Sequence, residues 1–295
     1  MNRIAQRIRE DHLEQAGRHD SPAIFGGPPG DPGLVGPGSV SWEIHADPAA
    51  ISIGGLGAIV LEILHPSVMA GVQDHSTYRE DPLRRSRTTY GYVVTTTFAN
   101  TQAATRLIKA VHGVHSRIEG VRPDGVAYRA LEPELIGWVH TCIPWAVMTA
   151  FELYNRPLTV DERDRYLSEQ AVIGRMAGAE EVPETAAELE EYVEWMRPRL
   201  SVNAQTLEFF EFLLADLPGA QPTGAVVRAS RQFQVGMGLG LMPPWAGRMS
   251  GFGSSTFARR FLHRPIFEIY ARTLRWAYGG PPDYARLAYE RAVPG

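Results

Sequence analysis

The feature that most constrains the fold is a succession of apolar segments with helical periodicity that begins at Asp47-Pro48. Asp can cap a helix, and Pro suits its first turn because the nitrogen there needs no partner. The same periodicity continues nearly throughout, which predicts an all-α chain. The predicted helices include Asp47–Leu64, Pro66–Asp74, Pro82–Phe98, Gln102–Glu119 and Pro133–Tyr154.

Two further helix starts are marked by capping boxes, at Thr159-Val-Asp-Glu162 and Thr185-Ala-Ala-Glu188. In this motif the threonine and the glutamate each satisfy a free backbone amide of the other. Val93–Phe98 is rich in β-branched residues, but its helical flanks favour continuation of a helix over a strand.

The segment Ser21–Gly38 holds six glycines and five prolines, a density that breaks both helix and strand. We therefore expect an irregular N-terminal arm ahead of a single compact multi-helix domain. Hydrophobic residues make up 44% of the chain, which is enough to form a buried core.

Charge and cysteine content exclude several classes of protein. The formal net charge of −4 argues against a nucleic-acid partner, because phosphate binding needs a concentrated positive field. Cys142 is the single cysteine, which excludes an intramolecular disulfide and a multi-cysteine metal site and favours a cytoplasmic location.

The apolar run 49–64 contains Glu62 and is short for a membrane span, so no transmembrane segment is expected. Ser254-Ser255 lacks the nucleophile-elbow pattern of many hydrolases.

Among the residue types that could bind a metal or a cofactor, the histidines are the most informative. Five of the nine fall in apolar helical segments: His65, His75, His112, His115 and His140. A buried histidine is most often a hydrogen-bonded core residue. His112 and His115, three residues apart, share a helix face and could address one metal or cofactor, yet no HExxH motif accompanies them.

A haem site needs fewer protein ligands than a site for a bare metal ion. It requires one strong axial ligand, an apolar slot and a few hydrogen-bond donors. Arg85 and Thr89 lie four residues apart on the helix after Pro82, so both project from one side. The alternative is a solvated arginine stripe, because Arg84 and Arg87 are neighbours of Arg85.

In combination, these motifs resemble the MpaB and latex-clearing-protein catalytic family of haem-dependent oxygenases. The likeness spans about Trp42 to Leu200. The domains expected are therefore residues 1–41, an N-terminal helix and arm, and residues 42–295, the family-like helical domain. The similarity rests on Trp42, Gly54-Gly55, Leu64-His65-Pro66, Ala70–Ser76, Asp81-Pro82, Arg85–Thr89, Thr97-Phe98, Val114–Arg117, Gly120, Tyr128–Pro133, Trp138-Val-His140, Pro157-Leu158 and Asp161–Arg163.

The resemblance implies one haem b per chain, with His115 as the histidine that binds the iron. It also implies that Arg85 and Thr89 lie beside the haem pocket, and we include His140 as a further candidate for cofactor binding. Latex-clearing members carry a lysine immediately before the threonine, where this chain has Thr88, so rubber cleavage is not expected.

The segments around His65 and His75 look like the MpaB-type branch, whose members act on hydrophobic small molecules. We expect one of these two histidines to border the haem and, with Arg85 and Thr89, to count among the catalytic residues.

The leading hypothesis is a haem b-dependent oxidoreductase, either an oxygenase or an oxidase/dehydrogenase. It would act on a hydrophobic small molecule, in specialised metabolism for instance, with dioxygen or peroxide. The alternatives are a haem-binding sensor or carrier without turnover and a helical scaffold with hydrogen-bonded core histidines. The sequence leaves a homo-oligomer open.

Overall fold

The computed structural model describes residues 2–215, 225–253 and 264–293, with the backbone alone for 225–232. Ser254 and Ser255 lie outside the described residues. The chain is almost entirely helical, which confirms the predicted all-α class. The helices are α1 (Arg3–Ala16), α2 (Pro22–Phe25), α3 (Val40–His45), α4 (Pro48–Glu62), α5 (Pro66–His75), α6 (Pro82–Phe98), α7 (Thr101–His115), α8 (Pro133–Tyr154), α9 (Val160–Ala177), α10 (Ala186–Met196), α11 (Ala204–Leu214), α12 (Ala225–Gly240), α13 (Pro244–Met249), α14 (Arg264–Tyr278) and α15 (Asp283–Ala292), with a 3-10 turn at Arg197–Arg199.

The starts of these helices follow the signals in the sequence. The Asp47 carboxylate accepts hydrogen bonds from the backbone nitrogens of Ala49 and Ala50, and α6 and α8 have the predicted bounds. Thr159 and Glu162 form the predicted capping box. At Thr185 only half of the predicted box forms, because the Glu188 carboxylate accepts from the backbone nitrogen of Glu184 instead.

One prediction was wrong in its extent. The helix expected over 102–119 ends at His115, and a short antiparallel hairpin of β1 (Glu119–Val121) and β2 (Ala127–Arg129) follows. The turn of the hairpin holds Gly125 at a φ of +86°, and the Asp124 carboxylate binds the Arg122 side chain. An Asp-Gly pair is a strong turn signal, and here it outweighs the helical pattern.

The centre of the fold is the contact between α4 and α8, which glycine makes close. A Cβ at Gly54 would lie 2.5 Å from the Cα of Val147 in α8. Gly238 of α12 approaches α4 in the same way, because a Cβ at Gly238 would lie 2.7 Å from the Cβ of Leu56. These glycines let three helix backbones pack almost without intervening side chains.

Among the described residues, no single helix has the length and apolar character of a membrane span. A bent pair, α4 with α5, passes that test only when its two helices are taken together, across a 107° bend.

The N-terminal arm and the C-terminal helix pack on each other. Arg291 of α15 is 1% exposed, and its guanidinium donates to the backbone oxygens of Phe25, Asp31 and Phe98. Helix α1 packs against α14 and α6. The arm is irregular apart from α2, as its composition predicted, while the boundary at residue 42 stays a prediction.

Candidate functional site

Four polar side chains from three helices are linked by a hydrogen bond or by electrostatic interaction with Arg85. Glu62 is the last residue of α4, Arg85 and Thr89 lie on α6, and His115 ends α7. The Arg85 Nη1 donates to Thr89 Oγ1 at 3.2 Å, and its charge acts on both Glu62 and His115. We call Glu62, Arg85, Thr89 and His115 the polar cluster.

The surroundings of His115 favour the neutral form of its imidazole. Partial burial lowers the pKa of this imidazole, and the positive charge of Arg85 and the neighbouring His112 lower it further. Its ring makes no hydrogen bond to another residue that the structure describes. A neutral histidine with a free ring nitrogen is the form that binds a metal.

Glu62 is the member of the cluster that the sequence reasoning missed. Burial raises the pKa of its carboxyl to about 7, although the Arg85 guanidinium acts in the opposite direction. A carboxyl that titrates near neutral pH can both give and take a proton under working conditions. The signal in the sequence was an acidic residue inside the apolar run 49–64, which we had used only as an argument against a membrane span.

Beside the polar cluster lies an apolar cavity of about 110 Å³. Its volume lies below the range of about 300–1,000 Å³ that is usual for drug-sized ligands, so it suits a smaller apolar group. Thr89 lines the cavity and contacts Arg85, so the cavity and the cluster adjoin. Gly55 also lines it, and no described atom outside the adjacent turns of α4 lies within 4 Å of the position that a Cβ would take there. The other lining residues are His12, Gln15, Ala16, Ile51, Ser52, Ile53, Leu56, Ala58, Ile59, Ser86, Tyr90, Val93, Ile143, Val147, Gln234, Met237 and Tyr270.

Helix α1 closes one side of this cavity, which the sequence did not predict. His12 is 7% exposed. Its Nδ1 lies 2.7 Å from the Tyr278 hydroxyl, and its Nε2 lies 2.7 Å from the Ser52 hydroxyl. Burial lowers the pKa of His12 to about 4, so its ring is neutral at physiological pH.

In the described ranges, no group of three or more His, Cys, Asp or Glu side chains is placed to hold a metal ion. A site built by protein ligands alone is therefore not found among these residues. A prosthetic group that needs one axial histidine places a smaller demand on the chain.

The family profile described as ER-bound oxygenase mpaB/B'/Rubber oxygenase, catalytic domain, matches residues 42–276. This chain belongs to that family. Its membership confirms the resemblance in the sequence and indicates an oxygenase-type enzyme. No curated protein and no solved structure matches the chain.

Within this mpaB/rubber oxygenase domain, the structure brings together three of the predicted site residues, Arg85, Thr89 and His115, and separates the other three from them. His65 caps α5 through its Nδ1, which accepts from the Ser67 nitrogen, and its Nε2 lies 3.6 Å from a Glu134 carboxylate oxygen. Burial lowers the pKa of His65 to about 4, while Glu134 opposes that shift. His65 lines a second, more polar cavity next to Arg122 rather than the apolar one.

The remaining two predicted site residues lie elsewhere in the mpaB/rubber oxygenase domain. His75 is exposed at the end of α5 and contacts the Glu119 carbonyl oxygen at 3.2 Å. His140 is buried between α8 and α9, where its Nε2 donates to the Gln170 carbonyl oxygen at 2.8 Å. Their catalytic and cofactor-binding roles stay predictions, and the contacts of His140 are those of a packing residue.

The lysine of latex-clearing members is replaced here by Thr88, which is exposed. Its hydroxyl donates to the Arg84 carbonyl oxygen one turn earlier at 2.9 Å, an ordinary contact for a threonine on a helix surface. No cation therefore comes from this position.

Proposed function

We propose that this chain binds one haem b through His115 and uses it to oxidise a hydrophobic small molecule, with dioxygen or peroxide as the oxidant. The observation that carries the proposal is the position of Thr89, which lines the apolar cavity and at the same time contacts Arg85 of the polar cluster. Membership of an oxygenase family supports the reaction class.

The residues present fit a haem. The axial ligand needs one neutral histidine, and His115 has a lowered pKa and a ring without a hydrogen bond to any described residue. The propionates need donors, which the Arg85 guanidinium supplies, while the Thr89 hydroxyl accepts from Arg85 Nη1 and donates to the Arg85 carbonyl oxygen.

A bound haem supplies the iron at which oxygen or peroxide is activated. The apolar cavity binds the hydrophobic substrate and excludes water from the reacting atoms. Arg85 can hold a negatively charged oxygen by hydrogen bonds, and Thr89 positions its guanidinium by accepting from Nη1. Glu62, whose pKa lies near 7, can hold a proton on its carboxyl oxygen or release it at neutral pH.

The test is a comparison of two histidines one helical turn apart. Protein expressed with a haem supply should show a Soret band and about one haem per chain. His115→Ala should abolish stable haem binding. His112→Ala is the matched control because His112 is exposed on the same helix, and it should keep the Soret band.

Three results would contradict the proposal. Stoichiometric zinc without haem would exclude a haem enzyme, and loss of haem from His112→Ala but not from His115→Ala would reassign the ligand. Haem binding with reversible ligand uptake, but without consumption of oxygen or peroxide, would indicate a sensor or carrier. Colourless protein would favour a helical scaffold.

A further inference from the structure

We propose that Ser52, held in place by His12 and Tyr278, is a hydrogen-bonding point in the wall of the apolar cavity and selects a hydrophobic ligand that carries a hydroxyl group. The inference rests on the proposed function, because it takes the cavity as the substrate site. It names the chemical class of the substrate and a residue that recognises it.

The three side chains form a continuous hydrogen-bonded chain from α14 to the cavity. The Tyr278 hydroxyl lies 2.7 Å from His12 Nδ1, and His12 Nε2 lies 2.7 Å from Ser52 Oγ. His12 and Ser52 both line the cavity. Because His12 and Tyr278 are buried, these contacts hold the Ser52 oxygen in place at the cavity wall.

The chain leaves hydrogen-bonding capacity at its Ser52 end. A neutral imidazole has one donor and one acceptor, so it uses either the hydrogen or a lone pair of Ser52, never both. Ser52 makes no side-chain hydrogen bond to any described residue other than His12. The phenol of Tyr270 lines the same cavity and likewise makes no hydrogen bond to another described residue.

The apolar surroundings of Ser52 make its free hydrogen-bonding capacity favour a ligand that carries a hydroxyl group. The cavity wall is mostly apolar, and a ligand hydroxyl that enters such a wall without a partner loses its hydrogen bonds to water. A ligand whose hydroxyl reaches Ser52 recovers one of them. The wall therefore favours an apolar body with one hydroxyl over the same body without it.

Helix α1, which supplies His12, lies outside the segment 42–276 that matches the family. Selection through His12 would therefore come from a part of the chain that the family match does not include. The competing explanation is that the His12 contacts only fasten α1 to the domain. That explanation predicts an effect on stability but none on the choice of ligand.

The experiment measures the affinities of two probes, 1-naphthol and naphthalene, by isothermal titration calorimetry on the protein expressed with a haem supply. The quantity compared is the Kd of naphthalene divided by the Kd of 1-naphthol. Because the probes differ by one hydroxyl, this ratio measures the preference for the hydroxyl group. Ser52→Ala should reduce the preference for 1-naphthol by about 2- to 12-fold, the value of one hydrogen bond. Ser52→Thr keeps the hydroxyl and should keep the preference.

Ser86→Ala is the matched control, because Ser86 lines the same cavity but belongs to no part of the chain of three. It should leave the ratio unchanged. Tyr278→Phe removes the far hydroxyl and should lower the ratio even if Ser52→Ala does not fold. A ratio that is equal in wild type, Ser52→Ala and Tyr278→Phe would overturn the inference, as would a failure of both probes to bind.

These outcomes separate the inference from the proposed function. A Soret band with oxygen or peroxide consumption, together with an unchanged ratio, would leave the haem enzyme standing and remove the role of Ser52. A changed ratio in a protein that binds no haem would do the reverse.

Discussion

The buried His140 should make the stability of this protein depend on pH in a way that one substitution removes. Burial lowers the pKa of His140 to about 4 from an ordinary value of 6.5, although its hydrogen bond to the Gln170 carbonyl oxygen acts in the opposite direction. In the unfolded chain the ring is protonated below its ordinary pKa, whereas in the folded chain it stays neutral down to about 4. The unfolded state therefore binds more protons in this window, and stability falls as the pH falls through it.

The size of the effect follows from the two pKa values. When the pH falls from about 7 to about 5, the effect of His140 should lower the free energy of unfolding by ~2 kcal/mol. His140→Gln cannot be protonated, yet its side-chain amide can still donate to the Gln170 oxygen. The variant will lose packing against Gly174, which the ring contacts closely, but that loss is the same at both pH values.

The assay is urea unfolding followed by tryptophan fluorescence at the two pH values. Wild type should lose ~2 kcal/mol more than His140→Gln on acidification. Glu62, whose raised pKa has the opposite sign of effect, is present in both proteins and cancels in this difference. His112→Gln is the matched control, because His112 is exposed, and it should behave as wild type. An equal loss in wild type and His140→Gln would refute the reasoning.

Three further predictions concern other parts of the structure. Arg85→Ala should keep the fold, because Arg85 is exposed, but lower haem occupancy or turnover, measured from the Soret absorbance and oxygen uptake; unchanged values would show that the arginine is only solvated. Gly54→Ala should cost about 1–3 kcal/mol of stability in thermal unfolding, since its Cβ would clash with α8, whereas Gly55→Ala has open space and should fold as wild type. Arg291→Met removes the donor of three backbone oxygens and should destabilise the protein by about 2–3 kcal/mol, with faster proteolysis of the arm 21–38; an arm as resistant as in wild type would contradict that role.

The sequence determined the parts of this protein that depend on near neighbours along the chain. Asp47 caps α4 and Thr159 caps α9 because a capping side chain reaches backbone amides only two or three residues away. The all-α class and the family followed from such local signals and from the order of motifs. The hairpin after α7 could have been predicted as well, since Asp124-Gly125 is a turn signal, but the helical pattern before it was extended too far.

Only the tertiary structure decided which polar residues meet. Glu62, Arg85 and His115 come from three helices, and Tyr278 reaches His12 across 266 residues of sequence. The sequence gives the spacing of residues on one helix face, but it does not give the rotation of that face against its neighbours. That rotation turned His140 toward the α9 backbone and left His115 without a partner among the described residues.

The perturbed titration of these groups has the same origin. The raised pKa of Glu62 and the lowered pKa of His12 are both caused first by burial, which segments distant in sequence supply. Residue type sets the ordinary pKa, and packing decides how much water the charged form keeps. For this reason the sequence could name candidate histidines, whereas the lowered pKa of His115, the near-neutral pKa of Glu62 and the cavity beside them required the packed helices.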